Sequence, residues 1–149
     1  MRVIRNIIFD LDGTLADSKL GIINSQVYVF DSVGVRVSEA DLLRAIGQGW
    51  GLRKVFPHFL PGIDGVEIER LVALYREHYT QTMMDFTTPF EGTLETLESL
   101  KARGFGLAVA TLKRDDFARG MVQGIGASDF ISYVQGTQPG MADKPAPDV

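Results

Sequence analysis

Val3-Ile4-Arg5-Asn6-Ile7-Ile8-Phe9-Asp10-Leu11-Asp12-Gly13-Thr14-Leu15 is the stretch on which the rest of the chain is organised. Its first part is apolar and rich in β-branched residues, the composition of a strand buried on both faces of a parallel sheet. It stops at two acids, Asp10 and Asp12, followed by Gly13 and Thr14. Ligands of open α/β sheets bind just beyond the carboxyl ends of the strands, so a strand delivering two carboxylates there places chemistry. An acidic Asp-Gly turn is the plainer reading of the same residues.

Downstream the pattern becomes helical. Ser18 can cap a helix with Leu20, Ile23, Val27 and Phe30 on one face and Gly34 as its stop. Ser38 with Asp41 resembles a capping box opening a helix that ends at Gly47. A short amphipathic piece around Leu52, Val55 and Phe56 is broken by Pro57, Pro61 and Gly62. Asp64 with Glu67 opens a long helix whose apolar stripe is Ile68, Leu71, Val72, Tyr75, Tyr79 and Met83. Residues 17–86 thus read as a helical unit without a strand. Thr87, Thr88 and Pro89 link back to a helix over 93–103, with Leu94, Leu97 and Leu100 inward and Gly104 as its C-cap. Gly106–Thr111 is a second buried strand. A helix over 115–123 follows, with Phe117, Met121 and Ile125 in a row, and 131–135 is a third strand. The alternation argues an α/β fold with a parallel sheet.

Composition narrows the chemistry. The chain has 149 residues, 45% of them hydrophobic, the level of an ordinary globular domain. Its net charge of −4 argues against a nucleic-acid partner. It contains no cysteine, which removes disulfides, thiolate metal sites and cysteine nucleophiles. No apolar run approaches the length of a membrane span, and Asn6, Asp10 and Asp12 interrupt any signal-peptide core. No membrane partner and a cytoplasmic location are the expectations. No Gly-x-Ser-x-Gly elbow, Walker lysine or Rossmann glycine fingerprint is present.

Asp10-Leu11-Asp12-Gly13-Thr14-Leu15 resembles the first motif of the haloacid dehalogenase superfamily, in its phosphatase form. Thr111, at the end of the second apolar strand, and Lys144-Pro145-Ala146-Pro147 resemble the second and third motifs. The resemblance runs from Val3 to the last residue. It implies a Rossmann-like core of residues 1–16 and 87–149, with an α-helical cap inserted over 17–86. It also implies Mg²⁺-dependent hydrolysis of a small phosphorylated metabolite, as in phosphoglycolate phosphatases. A β-phosphoglucomutase-like phosphotransferase and a non-catalytic binding fragment are the alternatives.

The roles follow from the resemblance. Asp10 is the nucleophile that forms an aspartyl-phosphate, and Asp12 is the general acid and base. Gly13 and Thr14 turn the chain beside the phosphate. Lys144 neutralises charge on the phosphoryl group. Thr111 and Leu112 lie at the phosphate, although Leu112 departs from the polar residue usual there. Asp10, through its carboxylate, and Asp12, through its carbonyl, hold Mg²⁺. Gly47, Gln48 and Arg53, with Trp50 and Arg44 nearby, are the cap residues expected to meet substrate. His58 and His78 are expected on the surface. The fourth motif's acids would come from a strand after the third motif, and the chain stops at Val149. The expectation is therefore an incomplete core, with an open edge on the first strand through which two copies could pair. Asp115, Asp116 and Asp148 are the acids to examine if the chain proves active alone.

Overall fold

The computed structural model describes residues 4–142. The chain divides into two units, one taking the chain up to Ser18 and again from Thr87, the other spanning Lys19–Phe86. The first is an α/β unit. Its sheet has the order β1–β4–β5, formed by Asn6–Phe9, Gly106–Arg114 and Tyr133–Thr137, all parallel. The connection from β4 to β5 is α6, Asp115–Gly124, while α5, Thr93–Ala102, precedes β4. Leu97, Leu107, Val109, Ala118, Met121 and Val134 form the buried layer between sheet and helices. Each large apolar side chain of this kind contributes on the order of 1.5–3 kcal/mol when fully buried.

Two sequence expectations change in this unit. β1 is not buried on both faces. Among the described residues it pairs only with β4, and Ile4 and Ile8 are 73% and 69% exposed. Alternate residues of a strand share one face of the sheet, and among the described residues the face carrying Ile8 is left to solvent. The segment read as a linker instead forms β3, Thr88–Pro89, antiparallel to β2, Ala16–Asp17. Asp17 and Ser18 therefore belong to this unit and not to the helical one. β4 also runs past Thr111 to Arg114, and β5 begins two residues later than the apolar run suggested.

The second unit is helical. It contains α1 (Lys19–Ser32), α2 (Glu39–Gly47), α3 (Leu52–Phe59) and α4 (Gly65–Thr82), closed by a 3₁₀ turn over Met83–Phe86. Ser38 and Asp64 cap α2 and α4, accepting from the amides of Asp41 and Glu67 at 3.2 and 2.8 Å. The α1 stripe differs from the expected one. Leu20 is exposed, and the buried face is Gly21, Ile23, Ser25, Gln26, Val29 and Phe30. At Gly21 the 3₁₀ turn and Tyr79 pack close, and a Cβ there would be in ordinary contact with Met83 O and Tyr79 at 3.5–3.6 Å. Pro57 lies inside α3 and does not end it. In so short a helix it forfeits one backbone bond, and the Leu60 amide still reaches Phe56 O at 2.8 Å. His78 is half-buried, bonded to Ser25 at 3.0 Å and stacked on Tyr28, so it packs within the unit.

Candidate active site

The loop after β1 is built on its leucines. Leu11 and Leu15 are buried, while Asp10, Gly13 and Thr14 are exposed and Asp12 is half-buried. The amides of Leu15 and Ala16 both reach Leu11 O, at 3.0 and 3.1 Å, and the Gly13 amide reaches Ala16 O at 2.9 Å. The turn needs φ of +77° at Gly13, a conformation glycine adopts without the strain a Cβ would bring. Phe90 N and Thr93 Oγ1 each donate to Leu15 O at 3.2 Å, tying the loop to β3 and α5. The result is a braced loop that leaves Asp10 exposed and Asp12 half-buried at the carboxyl end of a parallel strand.

Asp12 has two partners on one oxygen. Ser18 Oγ donates to its Oδ1 at 2.5 Å, and Lys113 Nζ stands 3.1 Å from the same atom. Asp12 is 27% exposed at its side chain and Lys113 only 6%. Burial pushes the Lys113 ammonium below the usual lysine range, against the opposing pull of the Asp12 carboxylate. Neither Ser18 nor Lys113 stood out in the sequence as a partner of Asp12. A period of two continued from Leu107, Val109 and Thr111 reaches residue 113, but the pairing of β4 with β5 is irregular between Ala110 and Arg114, so the period alone does not fix its side.

The other expected residues are distributed unevenly. Thr111 is buried, and its hydroxyl oxygen accepts the Lys113 amide at 3.2 Å, so it shapes the strand end. Leu112 points outward and is exposed. Lys144 lies outside the described residues, as does the rest of the proline-spaced motif. Gly47, Gln48 and Arg53 belong to the helical unit. There the guanidinium of Arg53 is held by both oxygens of Glu69, at 2.5 and 2.8 Å, and Arg44 is paired with Asp41. Both arginines expected to meet an anion thus already hold carboxylates. A hollow of about 200 Å³ beside Thr14 is lined by Phe9, Phe90, Thr93 and Leu97 and by no cation, so it does not suit a phosphate.

Among the described residues no group of three or more His, Asp or Glu could hold a metal. Asp10 and the Asp12 carbonyl supply oxygen only, which fits Mg²⁺ and not a softer metal. Mg²⁺ keeps several waters and needs one or two carboxylates plus substrate phosphate.

A family model described as haloacid dehalogenase-like hydrolase matches residues 7–149. A phosphoglycolate phosphatase of Agrobacterium fabrum is 28% identical over 85% of this chain and 56% of its own length. The pyrophosphatase PpaX of Halalkalibacterium halodurans is 29% identical over 97% of this chain and 65% of its own. The solved structure of a haloacid dehalogenase-like hydrolase from Streptococcus pneumoniae superposes with a TM-score of 0.79 at 29% identity, covering 91% of this chain and 62% of that one. The chain therefore spans less than two thirds of the length of these relatives.

Proposed function

The chain belongs to the haloacid dehalogenase-like hydrolase family, and from that premise we propose that it serves Mg²⁺-dependent hydrolysis of a small-molecule phosphomonoester through an aspartyl-phosphate on Asp10. The substrate class is that of the phosphoglycolate phosphatases it is similar to. The observation that carries the reading is the pair of differently housed carboxylates at the carboxyl end of β1, Asp10 exposed and Asp12 held by Ser18 and Lys113.

In this reading a carboxylate oxygen of Asp10 attacks phosphorus, and the bond from phosphorus to the ester oxygen breaks. Asp12 gives its proton to the departing alkoxide. It then takes a proton from the water that attacks the aspartyl-phosphate, which releases phosphate and restores Asp10. Two acids two residues apart can divide these roles because their surroundings differ. Bound Mg²⁺ would neutralise phosphoryl charge and orient it against Asp10. Lys144 has the charge-neutralising role, and the helical unit carrying Gly47, Gln48 and Arg53 selects the substrate. The partner is a small phosphorylated metabolite and not a nucleic acid or membrane. No helix among the described residues is long and apolar enough to cross a membrane.

The test is phosphate release from phosphoglycolate, pyrophosphate, a sugar phosphate and an aryl phosphate, with Mg²⁺ and with a chelator. Metal-dependent release from at least one monoester is expected. A chain of confirmed mass that releases none from any of them would overturn the reading.

A further inference from the structure

Lys113 is the one buried cation beside the described acids, and the proposed reaction gives it no step. A lysine is rarely buried without a partner, because desolvating an ammonium is costly. Here its partner is Asp12 Oδ1, the oxygen that Ser18 also holds.

The backbone is reshaped to bring it there. Ala110 stands opposite Gln135, but the next paired residues are Arg114 and Thr137, so four steps along β4 match two along β5. This is a bulge, a device that re-aims a side chain at a strand end. Its polar backbone is satisfied by two threonines: the Lys113 amide donates to Thr111 Oγ1, and Thr137 Oγ1 donates to Leu112 O, both at 3.2 Å. Gly136 makes the room. A Cβ there would stand 2.5 Å from Asp115 Cα and 2.6 Å from Lys113 O, backbone atoms that cannot swing aside. The Gly136 amide also donates to Asp115 Oδ1 at 3.1 Å, tying β5 to the first residue of α6.

We propose that Lys113, aimed by a bulge that Gly136 alone leaves room for, is a positioning residue that fixes the Asp12 carboxylate in one orientation for proton transfer. The proposal rests on the phosphatase reading above. Two donors on Oδ1 leave Oδ2 as the oxygen presented to the reacting group. A merely structural Lys113 would stabilise the fold and leave the reaction profile alone. A positioning one acts on the chemical step, where an error on the order of 1 Å can cost about 10²-fold.

The experiment compares Lys113→Met, Lys113→Arg, Gly136→Ala and the double variant Lys113→Met/Gly136→Ala in the full chain. Lys113→Met should lower kcat on an alkyl phosphate about 10- to 100-fold, with KM within about twofold. The loss should shrink on an aryl phosphate, whose leaving group needs little protonation, and Lys113→Arg should recover part of it. Gly136→Ala should reproduce the pattern and add nothing to the kcat loss in the Lys113→Met background. A raised KM at unchanged kcat, or additive losses, would overturn the proposal. A second readout needs no turnover: the ¹³C-carboxyl resonance of Asp12, assigned with Asp12→Asn, at fixed pH. It should move in both Lys113→Met and Gly136→Ala. An unmoved resonance in folded Lys113→Met overturns the positioning role, and a wild type without turnover overturns only the phosphatase reading.

Discussion

Asp10 and Asp12 leave β1 two residues apart, and the buried Leu11 between them separates their surroundings. Asp10 faces solvent, so Asp10→Asn should leave circular dichroism unchanged while lowering kcat by about 10³-fold or more, as expected when a nucleophile is removed. Asp12→Ala should lose about 10²- to 10⁴-fold on an alkyl phosphate and clearly less on an activated aryl phosphate. Equal losses on the two substrates would assign Asp12 to geometry instead. The acids were legible in the sequence because a carboxylate pair cutting off an apolar run has few structural uses. Lys113 was not, since a lone lysine after a strand reads as solvated, and only the bulge turns it inward. Nor could local sequence show that Arg53 is held by Glu69, sixteen residues away.

The elements are held by short polar braces whose strength can be measured one at a time. Asp64 accepts the Glu67 amide at the start of α4, and Asp64→Ala should cost about 1 kcal/mol in urea unfolding. Asp115 joins α6 to β5: Arg119 donates to its carboxylate at 2.7 Å and Gly136 at 3.1 Å. The Arg119 hydrogen bond is the larger cause holding Asp115 below the usual carboxylate range. A depressed carboxylate stabilises fully above its unfolded value, near pH 4, and loses that contribution as pH falls through the lower folded value. Asp115→Asn should therefore be less stable than wild type at pH 6, and the gap should close toward pH 2. A gap independent of pH would mean the brace is not ionic. The starts of α2 and α4 were readable because capping is local chemistry. The α1 face was not, because it is set by tertiary packing of α1 on α4 and the 3₁₀ turn, which local sequence does not show.

At the scale of the molecule, strand–helix alternation was enough to give a parallel α/β sheet, and among the described residues β1, the strand expected at an open edge, pairs with β4 alone. The outer side of β1, with Ile4 and Ile8 exposed, is the surface proposed for pairing two copies. Sedimentation equilibrium should show concentration-dependent dimers, and Ile8→Lys should shift them to monomers. A wild type that stays monomeric at every concentration would remove the proposal. If phosphate passes through Asp10, as proposed, it can be caught there. The chain is mixed with phosphoglycolate and Mg²⁺, quenched in acid within the first turnover, digested, and its peptides weighed. One added phosphoryl group is expected on the peptide carrying Asp10, and none in Asp10→Asn. Turnover with no labelled peptide, or with the label on another residue, would contradict the proposed route through Asp10.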